Sequence, residues 1–156
     1  VTKFWLFVHL VGLVMLAAGV GVANLSGIMM GKTDSPGMLA MWSKVNYKVE
    51  HIATLPGALL LIVAGTILVD DLGYDYSALW ISAAYVLWVI AVGLGAGVLG
   101  RHAHKIHRIA SREAASGAEV SIEAVALARS PTGPVVGNLL NLIILVFLYL
   151  MIAKPS

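Results

Sequence analysis

The sequence predicts an all-α fold, a four-helix transmembrane bundle with both termini extracytoplasmic and the third helix extended into the cytoplasm. Four apolar stretches each approach the roughly 20 residues an α-helix needs to cross about 30 Å of hydrocarbon. The chain is 60% hydrophobic and 12% charged, with a mean hydropathy of +0.92, beyond the range of a water-soluble domain of 156 residues. Its basic residues gather in two of the three connections.

The spans fall at about 4–30, 50–70, 78–115 including the cytoplasmic extension, and 134–153, within a single integral membrane domain, 1–156. The first has only Lys3 as a charged leader and an apolar run longer than a signal peptide's, so it reads as a retained span. Val1 fits an alternative start codon written literally. "MLAMWSKVNYKVEH" has helical composition and a basic, aromatic character suited to lying at the interface before span two. Pro56 then falls in the first turns of that span, where a missing amide matters least. Span three runs without a breaker into "RHAHKIHRIASREAAS" and ends near Gly117. "SIEAVALARS" reads as a short helix capped by Ser121, and "SPTGP" leads into span four.

Lys32, Lys44 and Lys48 lie between spans one and two, and Arg101, Lys105, Arg108, Arg112 and Arg129 between spans three and four; "DDLGYDY" carries three aspartates and no cation. The positive-inside rule places both basic connections in the cytoplasm. There they suit anionic lipid headgroups, an attraction that histidine protonation below about pH 6.5 strengthens. His104 and His107 lack the further ligands a zinc site needs, and the absence of cysteine excludes thiolate sites and disulfides. "GLGAGVLG" lies mid-membrane after no strand, so it is no nucleotide loop, and no serine nucleophile is matched to a base. The few charges, confined to the membrane edge, argue against nucleic acid.

Helices in lipid associate through small residues and interhelical hydrogen bonds. Gly93 with Gly97, Gly27 with Gly31, Gly133 with Gly137, and Ala17 with Gly21 are the expected packing pairs. Polar residues at depth form two layers: His9, Thr66, Ser82, Tyr85 and Tyr149 towards the outer side, and Asn24, His51, His102, Asn138 and Asn141 towards the inner one.

His9, within "FWLFVHLVGLVML", is the leading candidate, since an ionisable group inside a membrane is costly to keep without a partner. It reads either as interhelical glue, bonded to a carbonyl, Tyr85 or Tyr149, or as a metal ligand to a haem iron, or as a proton or quinone site. His9 and His51 lie about 20 Å apart along the normal and cannot share one iron. Haem b would therefore need His51 with His102, or His9 with another ligand type such as Met151.

"FVHLVG", "VEHIATLPGALLLIVAGTIL" and the closing "LMIAKPS" resemble small four-span bacterial membrane proteins of unknown function, distantly related to the copper-resistance D family and the four-helix membrane protoporphyrinogen oxidase. His9, Pro56, Gly57, Gly65, Lys154 and Pro155 carry the likeness. It implies a haem- or porphyrin-related bundle, multi-pass in the bacterial plasma membrane, with His9 as axial ligand or porphyrin contact. The expected function is an accessory, non-catalytic subunit of a larger membrane redox or transport complex, holding haem b. The alternatives are a porphyrin-oxidising enzyme and a structural subunit that fills an interface and orders lipid.

Overall fold

The computed structural model describes residues 1–119 and 121–155. In chain order its helices are α1 (Thr2–Lys32), α2 (Pro36–Val49), α3 (Leu55–Asp71), α4 (Leu79–Val92), α5 (Arg101–Ser116), α6 (Ile122–Ala128) and α7 (Thr132–Ala153). A π-helical segment, Glu50–Thr54, joins α2 to α3, and a second, Gly93–Gly100, joins α4 to α5. Thr2–Lys32, Pro36–Asp71, Leu79–Ser116 and Ile122–Ala153 are each long and apolar enough to cross a membrane. Each of the four expected spans overlaps one of them, the third beginning one residue earlier, at Ala78.

The helix boundaries follow local chemistry. Ser35 accepts from the Met38 amide at 3.5 Å with Pro36 in the first turn of α2, and Ser121 accepts from the Ala124 amide at 3.2 Å. Gly117 ends α5 with φ +67°, a left-handed conformation that glycine adopts without a steric penalty. Pro56, expected at a helix start, instead lies inside the continuous Pro36–Asp71 rod. The lost amide is absorbed by widening the preceding turn, in which the Leu55 N–H reaches back five residues to the Glu50 carbonyl.

α2, expected at the membrane interface, is also part of a packed core. It packs on α5 and on the C-terminal half of α1, because Leu39 meets Met30, Ile106, Ala110 and Ala124 in a small core, flanked by Trp42, Ile109 and Leu127. Ala103, Ile106 and Ala110 are the buried residues of α5 and recur at helical spacing, Ile106 and Ala110 facing that core and Ala103 the cavity. This basic end carries eight of the ten Lys and Arg residues. Two exposed ion pairs lie here, Lys105–Glu123 at 3.0 Å and Arg129–Asp34 at 2.6 Å, each contributing at most about 1 kcal/mol.

The opposite, acidic end has its own core of Val69, Trp80, Ile81 and Leu150. Residues near both ends of the chain are tied to this end of the bundle. Thr2 donates to Asp71 at 3.0 Å, and the Lys154 ammonium donates to the Tyr74 hydroxyl at 2.6 Å, 4.7 Å from that ring's centre.

Between these cores the helices pair unevenly. α1 and α3 pack most closely, and a Cβ on Gly57 would stand 2.7 Å from the Leu16 amide nitrogen and 2.9 Å from the Gly12 carbonyl oxygen. Gly19 faces Thr54 as closely one layer down. The small-residue pairs expected from spacing are mostly not the ones used: Gly21, Gly27, Gly93 and Gly133 have open space where a Cβ would go, and Gly97 has only the Arg101 side chain near it. Gly137 does meet a neighbour, the Asn24 side chain of α1. An i, i+4 pair on a helix shows that small residues share a face, but only the helix's rotation in the bundle decides which face is used.

Gly57→Ala forces backbones apart and is expected to lower stability by about 1–3 kcal/mol. Gly27→Ala, facing open space in a helix, is expected to leave stability unchanged or raise it by up to about 1 kcal/mol. Unfolding of the two variants in detergent micelles, followed by circular dichroism, checks the contrast; equal losses would refute this account of the α1–α3 contact.

Candidate functional site

The α1/α3 pair and the α4/α7 pair do not close on each other, and a cavity of about 520 Å³ runs between them. That volume lies within the roughly 300–1,000 Å³ typical of ligand sites. Its walls are leucine, isoleucine, alanine and aromatic side chains, among them Leu13, Leu16, Trp88, Leu140 and Phe147. His9, Tyr85, Met151 and Lys154 line it towards the acidic end, and Asn24, Asn46 and Glu50 towards the basic end. From His9 to Asn24 is fifteen residues of α1, about 22 Å at 1.5 Å each.

The His9 ring turns inward onto α3. Its Nδ1 is 3.1 Å from the Leu61 carbonyl, to which it donates, and its edge lies over Gly65, where a Cβ would stand 3.2 Å from Cε1. A Cβ there would be a tight contact, which the imidazole could relieve only by shifting a few tenths of an ångström. With Nδ1–H bound to a carbonyl, Nε2 carries the lone pair, and among the described residues it has no hydrogen-bond partner.

Tyr85 lines the same end, held by a 2.7 Å bond between its hydroxyl and that of Thr66. Thr66 donates its own proton to the Ile62 carbonyl at 2.8 Å, so the Tyr85 O–H is the donor between the two hydroxyls. Trp88 Nε1 donates across to the Ala58 carbonyl at 3.1 Å. These two bonds tie α3 to α4 across the cavity, since their backbones barely meet.

Not all the expected residues gather here. Tyr149 is 62% exposed on the outside of the bundle, and Ser82 bonds the Tyr76 carbonyl at 3.0 Å. His51 is exposed, bonds the Tyr47 carbonyl at 2.9 Å and lies tilted against that ring with centroids 4.4 Å apart. His102 faces α6, 3.4 Å from the Ser130 hydroxyl. Neither histidine lines the cavity. Asn24 donates to Asn141 at 3.2 Å, joining α1 to α7, while Asn138 is exposed. Among the described residues no group of three or more His, Asp or Glu side chains is placed to hold a metal ion.

Sequence reasoning missed Glu50 and Asn46. The signal was present in "VEHIATLPG", where a carboxylate stands at the threshold of an apolar span, but the neighbouring histidine drew the weight.

At the basic end His107 lies 3.1 Å from the Ser43 hydroxyl and stacks on Tyr47. Burial holds its pKa below the ordinary 6.5, with His104 and Lys44 adding to the fall. Burial also lowers His102, against the Leu127 carbonyl that supports its protonated form, and Lys105 adds to the fall. In the acidic connection, donation to the Asp70 carboxylate pushes the Tyr76 phenol up to about 12.

These features define a class, an all-helical, multi-pass membrane protein with an apolar cavity inside its bundle. Residues 4–155 match the family model described as "Predicted integral membrane protein (DUF2269)", and the chain belongs to that family. No curated protein and no solved structure matches it. The likeness to the copper-resistance D family and to the four-helix protoporphyrinogen oxidase therefore rests on the short motifs alone.

Histidines whose folded pKa is depressed bind fewer protons folded than unfolded, so their contribution is complete above the unfolded value of 6.5 and is lost as pH falls below it. Hydrogen exchange of the α5 amides, corrected for intrinsic rates, is expected to show weaker protection at pH 5.5 than at pH 7.5. The difference should shrink in His107→Asn; protection independent of pH in the wild type would refute it.

Proposed function

We propose that this chain is an accessory integral membrane subunit of a larger redox or transport complex, and that its bundle holds b-type haem against His9. The observation that carries the reading is the His9 ring itself. It is fixed on one nitrogen by the Leu61 carbonyl, seated on Gly65, and left with a free Nε2 lone pair at a cavity wall. An imidazole oriented in this way through its other nitrogen is the usual arrangement of a histidine that ligates a metal.

The residues present fit the group. The cavity is apolar along its walls and of ligand size, as a macrocycle requires. Met151 lines the His9 end, and its thioether would be a second residue to hold the group. Lys154 lines it too, and its ammonium would pair with a propionate carboxylate. Bound there, the haem would supply reversible one-electron transfer. The bundle's own contribution is to exclude water from the iron and to hold the imidazole in one tautomer.

With basic connections on the cytoplasmic side, the His9 end faces out of a bacterial plasma membrane. The many exposed apolar side chains on the bundle's outer faces suit lipid or a larger partner equally.

Purified from membranes, the protein is expected to show a Soret band that shifts on dithionite reduction. His9→Ala should abolish it, whereas His51→Ala and Tyr149→Phe should leave it. Absence of the band from the wild type under both conditions would favour the structural-subunit reading, and porphyrinogen turnover by the isolated bundle would favour the oxidase.

A further inference from the structure

The end of the cavity opposite His9 holds a carboxylate that the haem reading leaves without a role. Glu50 opens the first π-helical segment and lies against Gly100, the last residue of the second, where a Cβ would stand 2.5 Å from Glu50 Oε1. Its carboxylate makes no hydrogen bond or ion pair to any described residue, although His51 and His104 flank it. Asn24 shares this end: its Nδ2 is engaged by Asn141 at 3.2 Å, while its Oδ1 lies over Gly137, where a Cβ would stand 2.7 Å away. Two glycines thus leave room around two oxygen acceptors, and acceptors without donors select a ligand rich in N–H or O–H.

The level of this mouth in the bilayer narrows the ligand further. Glu50 stands just before the apolar run that begins at Ile52, at the depth of lipid headgroups. Beyond it the cavity continues for about 22 Å between apolar walls, including Leu16, Val20 and Leu99. A polar mouth at headgroup depth above a long apolar channel has the form of a lipid, and a carboxylate with no hydrogen-bond donor or ion-pair partner favours a cationic head that can donate. A quaternary ammonium has the charge but no N–H to give, and an anionic head would be repelled.

We propose that the Glu50 end of the cavity binds the primary-ammonium headgroup of a membrane lipid, whose acyl chain extends between α1, α3, α4 and α7 towards His9. The ammonium donates to Glu50 and to Asn24 Oδ1. The inference concerns the same cavity as the function proposed above, so the acyl chain and a haem would compete for its apolar part, but the headgroup contacts do not involve His9.

The test uses the purified full chain in detergent micelles, with phosphatidylethanolamine, phosphatidylcholine and phosphatidylglycerol of identical acyl chains added in turn and binding read by native mass spectrometry. Phosphatidylethanolamine is expected to bind about tenfold or more tighter than phosphatidylcholine, the scale of charge-assisted hydrogen bonds to a carboxylate. Glu50→Gln should bring the two to parity. Gly100→Ala, which keeps the carboxylate but pushes it from its place, should do the same and carries the test if Glu50→Gln fails to fold. His9→Ala should keep the preference intact, separating a failure here from a failure of the haem site. Equal binding of the two lipids to the wild type, a preference that survives both Glu50→Gln and Gly100→Ala, or tightest binding of phosphatidylglycerol would overturn the proposal.

Discussion

The contact between α1 and α3 is the constraint on which the rest of the bundle depends. Lipid tails solvate leucine as well as another helix does, so two helices gain by meeting only where their backbones come close enough for dense van der Waals contact. Gly12 against Gly57, and Gly19 against Thr54, provide that approach. The same crossing carries His9 to the Leu61 carbonyl and over Gly65, so the imidazole's position is a consequence of the backbone spacing three residues away. On the other side of the bundle α4 and α7 meet through larger side chains, among them Trp80, Ile81 and Leu150. A bundle zipped tightly along one pair and loosely along the other encloses space between them.

The polar groups inside follow from that enclosure. A donor or acceptor facing hydrocarbon costs several kcal/mol, so each finds a neighbour: Thr66 with Ile62 and Tyr85, Trp88 with Ala58, and Asn24 with Asn141. Such bonds contribute about 0.6 kcal/mol each on average, because the separated helices also find partners, so they set register more than they hold the helices together. Against this pattern two groups at the cavity stand out, the second nitrogen of His9 and the carboxylate of Glu50. Both are at positions where a glycine on the opposite helix, Gly65 or Gly100, has cleared room for the side chain.

How much of this was legible in the sequence depended on whether the deciding interaction was local. The number of apolar helices, the stop at Gly117 and the cap at Ser121 come from a few consecutive residues, and the structure agrees with each. The segregation of the charged residues to opposite ends of the helices was equally plain. Helix rotation was not, because it is settled by the partner: Tyr85 and Tyr149 look alike as outer-layer tyrosines, yet one bonds Thr66 inside and the other faces out. For the same reason Gly12, Gly57 and Gly65, which form no GxxxG pair, do the close packing, while Gly93 and Gly27 meet nothing.

The π-helical segments explain why rotation was so hard to read, and also why the centre is hollow while both ends are packed. A turn that bonds five residues back takes in an extra residue, and one residue of α-helix is about 100° of rotation, so apolar periodicity on the two sides of such a segment points in different directions. α3 presents its close face to α1, whereas α2, beyond Glu50–Thr54, presents its own to α5 and α1 together. α4 packs on α7, whereas α5, beyond Gly93–Gly100, packs on α2 and α6. Both rods therefore change partners at the same level of the bundle, where Glu50 meets Gly100. Pro56 forces the first change by removing an amide, and four glycines in "GLGAGVLG" ease the second by weakening the α-helical preference. Had either rod kept one phase throughout, the face that closes the basic end would also have faced inward along the span, and the two pairs would have packed into a solid core with no cavity for His9 and Glu50 to line.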